Sequence, residues 1–161
     1  MKHLPKHLRP RWRYLAVGIE SWPDAAIDRR AFQRELWYAG QNLLGDPGSA
    51  AADLTVVQFE FGDGDGEAIV RVRHGETEPA RAALACIDAI DGATVGLRVR
   101  GISGTIRAAN EKYLGRRRQD YDERNVVFRN EERVAVTRDG SADVRLDEAF
   151  AGATDLDYDL A

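Results

Sequence analysis

With 161 residues, 43% of them hydrophobic and 31% charged, the chain has the length of one domain and enough apolar material to bury a core. No apolar run approaches the ~18 residues that cross a bilayer, and the basic start runs into charged and aromatic residues instead of an apolar signal core, so neither a membrane partner nor secretion is expected. The single cysteine, Cys86, excludes an internal disulfide and every Cys-rich zinc fold, which suits a reducing, cytoplasmic setting.

Residues 13–20 alternate, with Leu15, Val17 and Ile19 on one side, the pattern of a half-buried strand. Asp28 is placed to cap a helix whose apolar stripe is Phe32, Leu36, Ala39 and Leu43, and Gly45 to end it. Residues 54–61 and 67–74 read as two strands joined by the glycine-rich turn 62–66. Thr77 is expected to cap a second helix, with Pro79 in its first turn and Ala80, Ala83, Leu84, Ile87 and Ile90 as its stripe. A fourth strand follows at 94–100 and a third helix at 104–114, with Ile106, Ala109 and Tyr113 on one side. The order β-α-β-β-α-β predicts an α+β, ferredoxin-like (RRM-like) split βαβ sandwich over residues 1–115. Its antiparallel sheet carries two helices on one face and leaves the other face potentially free. Residues 116–138 read as a basic linker with a short hairpin from 126–129 and 133–137. Residues 139–161 read as an acidic, flexible tail with too few large apolar residues to fold alone.

The net charge of −4 is unevenly spread. Residues 139–161 hold seven acids and one base, which leaves +2 on residues 1–138. Lys2, Lys6, Arg9, Arg11 and Arg13 stand without an acid in residues 1–13. Arg98, Arg100, Arg107, Lys112, Arg116, Arg117 and Arg118 stand against Glu111 alone in residues 98–118. Strand alternation adds a geometric expectation. If Leu15, Val17 and Ile19 face the helices, then Tyr14, Ala16 and Gly18 face away, together with Arg71, Arg73, Arg98 and Arg100. Four arginines beside small residues and one aromatic make a surface suited to phosphates and a stacked base. The plainer alternative is that alternate strand positions must be polar somewhere, and arginine is this chain's preferred base.

Catalytic patterns are absent. His3, His7 and His74 stand at no recognised ligand spacing, so no metal site is expected. Asp63 and Asp65 resemble the opening of a calcium loop, but His74 stands where its bidentate Glu belongs. Neither a nucleophile elbow nor a phosphate-cradling loop occurs. The segment 96–114 is more informative. A strand runs into Gly101, Ser103 is placed to cap the next helix, and Gly104 and Thr105 to start it. The unpaired N–H groups of that helix start would open beside Arg100 and Arg107 as a phosphate dock. The alternative is an ordinary capped helix with an Arg107 to Glu111 pair.

That segment, in which a strand ends at Gly101 and Ser103, Gly104, Thr105, Ile106 and Arg107 follow, closely resembles the signature of the ribonuclease P protein component 2 family. The family is archaeal and has a eukaryotic counterpart. The run Arg11-Trp-Arg-Tyr-Leu15 also looks like it, and the resemblance spans residues 8–115. It implies a noncatalytic protein subunit of the endoribonuclease that removes 5′ leaders from precursor tRNA. In such a particle the RNA holds the active site and its Mg2+ ions, and the protein carries no cofactor. The implied partners are ribonuclease P RNA, protein component 3, other ribonuclease P proteins and precursor tRNA within the complex. The basic residues named above and Tyr14 are then the expected RNA contacts, and Trp22, Trp37 and Ile102 the expected apolar contacts for the partner protein. An alternative of another class is a ferredoxin-like regulatory module that binds a small molecule between subunits.

Arginine supplies 20 of the 23 bases and Asp 16 of the 27 acids, a skew that suits a haloarchaeal member. At ~1 M salt the screening length falls to roughly 3 Å, so bidentate, stacking arginine keeps its contact energy where a point-charge lysine loses reach. Thermal unfolding followed from about 0.1 M to about 3 M KCl should show the melting temperature rising with salt. A maximum at the low end would refute the high-salt reading.

Overall fold

The computed structural model describes residues 3–115, 121–138, 140–147 and 149–161. The chain divides into two compact units, Met1–Arg116 and Arg117–Ala161.

In the first unit a 3-10 turn (Lys6–Leu8) precedes β1 (Trp12–Ser21), α1 (Arg29–Ala52), β2 (Thr55–Gly62), β3 (Asp65–Arg73), α2 (Thr77–Ala85), β4 (Ala89–Ile90), β5 (Ala93–Ser103) and α3 (Ile106–Tyr113). The antiparallel sheet has the order β2-β3-β1-β5-β4, the split βαβ arrangement with a two-residue strand added at one edge. Two-residue loops join β2 to β3 at Asp63–Gly64 and β4 to β5 at Asp91–Gly92. Both residues of each loop have positive φ, the type I′ geometry that an Asp-Gly pair favours. Leu15, Val17 and Ile19 of β1 and Val70 and Val72 of β3 meet Phe32 and Leu36 of α1 and Ala80, Ala83 and Leu84 of α2 in one core.

Asp28 caps α1, accepting from the Ala31 amide at 2.7 Å. Gly45 interrupts the helix, with φ 70° and ψ 175°, but a second helical run continues to Ala52 with Pro47 in its first turn, where a missing N–H costs nothing. Leu43, expected in the apolar stripe, is 46% exposed; the small Gly40 is buried instead. Thr77 opens α2 without capping it, and Ile87 and Ile90 reach the core from the chain beyond that helix. Ser103 is not a cap either. It is the last residue of β5, paired with Tyr14, and Thr105 caps α3 by accepting from the Ala108 amide at 3.1 Å.

The outer face of the sheet is covered rather than free. Ala109 and Leu114 bury against Ala16 and Ile69, with Tyr14, Val57 and Tyr113 at the margin. Ala16 and Gly101 are cross-strand partners, and a Cβ added at Gly101 would lie 2.3 Å from the Tyr113 ring. The small residues are therefore the seat of α3, not an open floor. A reciprocal amide pair between Gln58 and Asn110, at 2.8 and 3.0 Å, ties the helix to β2. On the other side of β2, α1 closes the sheet edge. Arg29 donates to the Val56 carbonyl (2.7 Å), Gln33 accepts from the Val56 amide (2.7 Å), and the Trp37 indole donates to the Leu54 carbonyl (3.0 Å).

The second unit overturns the division into linker and flexible tail. The expected hairpin is present as β6 (Asp122–Phe128) and β7 (Glu131–Arg138), but β8 (Ser141–Arg145), β9 (Phe150–Thr154) and β10 (Tyr158–Leu160) continue it. The order is β10-β6-β7-β8-β9, around Val126, Phe128, Ala135, Ala142, Val144 and Ala153. In a flat sheet β9 and β10 would stand about 19 Å apart. Three residues link them, reaching at most ~14 Å even when extended, and the Asp157 amide donates back to the Thr154 carbonyl at 2.9 Å. The sheet is therefore curled into a small open barrel, its seam between β9 and β10 unpaired among the described residues, with an interior that alanines and valines can fill. The closing turn is pinned by Asp157, which accepts from the amide and hydroxyl of Thr154 at 2.8 and 2.9 Å. These bonds hold its carboxyl below the ordinary Asp value.

Gly101→Ala should destabilise the protein by about 1–3 kcal/mol in denaturant unfolding, because the methyl group overpacks against Tyr113. Gly96→Ala, with open space around it, is the control. Because the folded Asp157 titrates lower than the unfolded one, its contribution is complete above the carboxylate range and fades as pH falls through it. Asp157→Ala should therefore lower the melting temperature at neutral pH and flatten its decline in acid.

Candidate nucleic-acid interface

Strand pairing arranges the outer face of the first sheet in rows. Arg73 faces Trp12; Arg71, Tyr14 and Ser103 follow; then Ile69, Ala16 and Gly101; then Glu67, Gly18 and Arg98. Because α3 sits on the row of Ala16, it separates the four expected arginines into two pairs.

On one side lies a stack that the sequence reading missed. The guanidinium groups of Arg71 and Arg73 lie 4.1 and 4.9 Å from the centre of the Trp12 ring. Such stacking holds a guanidinium by its face and leaves its in-plane N–H donors available for phosphate oxygens. The Nε of Arg71 is buried and has no hydrogen-bond partner among the described residues. Arg73 also reaches Asp53 at 3.5 Å, an exposed pair worth little. Trp12 shares its parity with Tyr14, so strand alternation carried one residue further back would have found it. Tyr14 itself packs partly against the α3 cluster. Arg11 is exposed beside this stack, its carbonyl accepting from the His74 amide at 2.9 Å.

On the other side Arg98 is exposed and has no partner among the described residues. Arg100 occupies the β-bulge that shifts the register between Ala16 and Val17. A Cβ on Gly18 would meet its Nε at 2.8 Å, so the Arg100 side chain lies over Gly18. It donates to Glu67 Oε1 at 2.6 Å, while Glu67 Oε2 accepts from the Gly115 amide at 3.0 Å. Arg100 thus stands beyond the end of α3, not beside its start as expected. The base at the start is Arg13, whose Nη1 would lie 2.9 Å from a Cβ on Gly104. Arg107 makes the ordinary pair with Glu111 at 2.8 Å, both side chains largely exposed, and Ile106 is 39% exposed.

Lys112 is exposed in the last turn of α3, and Lys6 in the 3-10 turn, where Arg9 donates to the Leu4 carbonyl at 3.0 Å. Lys2, Arg116, Arg117 and Arg118 lie outside the described residues. Of the expected partner contacts, Trp22 is 9% exposed and Ile102 is half-buried against the main core. Trp37 and its neighbour Tyr38 are each 53% exposed on α1, and Leu43, 46% exposed, lies on another side of the helix.

Residues 13–114 match the model of the Rpp14/Pop5 family. The ribonuclease P protein component 2 of Haloarcula marismortui is 61% identical over 160 residues, 98% of this chain and 99% of that protein. The protein of the same name from Halorubrum lacusprofundi is 58% identical over 157 residues, covering 98% and 99%. That of Methanosarcina mazei is 36% identical over 114 residues, 71% of this chain and 93% of the relative. In the cryo-EM structure of yeast ribonuclease MRP, one chain aligns with 19% identity and a TM-score of 0.46, over 60% of this chain and 76% of that one. The chain belongs to the Rpp14/Pop5 family.

Proposed function

We propose that this chain is a noncatalytic protein subunit of ribonuclease P, the ribonucleoprotein endonuclease that removes 5′ leaders from precursor tRNA. The observation that carries the reading is likeness over almost the whole length to proteins named as its component 2. The active site and its Mg2+ belong to the RNA in this reading, and the work of the chain is to bind and position. No helix among the described residues is long and apolar enough to cross a membrane; the particle is assigned to the cytoplasm.

The RNA contacts are the two basic patches on either side of α3. Trp12 with Arg71 and Arg73 offers stacked guanidinium donors, and Arg98 offers an unpaired one. These are contact-range interactions, which salt weakens less than attraction at a distance. Arg13, whose guanidinium reaches Gly104 just before α3, is a further candidate contact, whereas Arg100 is engaged with Glu67 and serves the fold. The exposed side of α1 around Trp37 and Tyr38 is assigned to a protein partner, with protein component 3 as the candidate. The grooves flanking it are edged by Glu35, Asp46, Asp53 and Asp88, so the partner surface should be apolar with basic margins.

Reconstituted with its RNA and the other protein subunits, the chain should raise cleavage of precursor tRNA. A chain that neither raises cleavage nor co-purifies with another subunit would overturn the reading. Arg98→Glu should lower RNA affinity about tenfold and flatten its salt dependence, since a phosphate contact is lost and a repulsion gained. Arg71→Gln should also lower RNA affinity. Unchanged affinity in both variants would move the RNA off this face.

A further inference from the structure

The C-terminal barrel lies outside the residues matched by the family model, and its charge has the opposite sign to the basic patches. Residues 117–161 hold twelve acids and seven bases. Among the described residues its bases are largely engaged within the unit. Arg124 pairs with Asp122, Arg133 with Glu131 and with Asp147 (2.8 Å), and Arg138 with Asp143 (2.9 Å), while Arg129 lies over the Phe128 ring (5.1 Å). Glu123, Glu132 and Asp159 are exposed and have no partner among the described residues.

Register gathers those three acids on one face. Asp159 of β10, Val127 of β6 and Glu132 of β7 are cross-strand neighbours. Two residues along, Asn125 faces Val134, and two further, Glu123 faces Val136. Cross-strand neighbours project to the same side. Val126 and Phe128, at the alternate positions of β6, are in the core, so the face carrying Val127 is the outer one. Val127 and Val134 are half-buried and Val136 is buried, so this face presents a short aliphatic strip of Val127 and Val134, with Asp159 and Glu132 at one end and Glu123 beyond the other, none of them with a partner among the described residues.

We propose that this face docks a cationic segment of another protein subunit of the same ribonucleoprotein, with basic residues at both ends of a short aliphatic stretch. Phosphates would meet unpaired carboxylates here, which disfavours RNA, and a second copy would bring like charges together. At molar salt the charges act only at contact, while the valine strip supplies affinity that salt does not screen. The relatives sharpen the assignment. The Haloarcula protein matches over 160 residues, whereas the Methanosarcina mazei protein matches over 114 and has 93% of its length within that match. The barrel is thus an addition to a family core that serves without it, and assembly fits an added module better than cleavage does.

The inference rests on the chain being a ribonuclease P subunit, so the test separates the two. Each purified protein subunit of the particle, and its RNA, is titrated with the full-length chain, with Glu123→Gln/Glu132→Gln/Asp159→Asn and with Val127→Thr/Val134→Thr. All five positions are exposed or half-buried, and threonine keeps the branched shape that strands favour. One protein subunit should bind the unaltered chain and lose at least about tenfold in affinity to both variants, with RNA affinity unchanged. The proposal is overturned if every protein subunit binds the variants as tightly as the unaltered chain, or binds none of them. It is also overturned if RNA affinity falls instead, or if the variants change the concentration-dependent mass of the chain alone. Cleavage of precursor tRNA by the particle containing the unaltered chain reports the functional reading independently.

Discussion

Tyr113 can lie on the sheet only because β1 and β5 offer it no side chain at Gly101 and a single methyl group at Ala16. That short-range steric allowance brings α3 down onto the outer face, where Ala109 meets Ala16 and Ile69. The rest of the surface is arranged around the helix that results. Glu67 reaches the Gly115 amide just past its end and holds Arg100 with its other oxygen, while Gln58 and Asn110 clamp it to β2. The basic face becomes two patches because a helix runs between them. A larger residue at either small position would lift α3 and merge the patches, while stranding the Gln58 and Asn110 amides away from each other.

Charge in this chain is organised by pairing as much as by number. In the first unit Arg100 and Arg107 are matched with carboxylates, whereas Arg98 has no partner among the described residues and Arg71 rests on an indole. In the barrel the relation is reversed among the described residues, with Arg124, Arg133 and Arg138 matched and Glu123, Glu132 and Asp159 left over. The two units thus carry surfaces of opposite sign.

Much of the fold was legible because alternation and capping are local. The inward side of β1 and β3 followed from the alternating Leu15, Val17, Ile19, Val70 and Val72, and Asp28 stood three residues before the amide it accepts from. Misplaced caps came from competition between neighbours. Ser103 and Thr105 are equally good candidates on their side chains, and pairing with Tyr14 drew Ser103 into the strand. The seat of α3 was not legible, since a short amphipathic helix declares an apolar side but not the surface that receives it. Trp12 was one residue outside the expected strand, and its stack needed Arg73 from across the sheet. The barrel was hidden by its own economy: Ala135, Ala142 and Ala153 add little to a count of large apolar residues, yet they suit an interior too narrow for larger ones.

Trp37 combines two properties that usually exclude each other. Its ring is half exposed, while its indole N–H is engaged by the Leu54 carbonyl, so the side chain is held in one orientation before anything touches it. An aromatic residue restrained in this way has already lost the torsional freedom that docking would otherwise take from it. A partner that reads Trp37 would meet a finished template, and the bond to Leu54 just before β2 would also lengthen the life of the complex formed there.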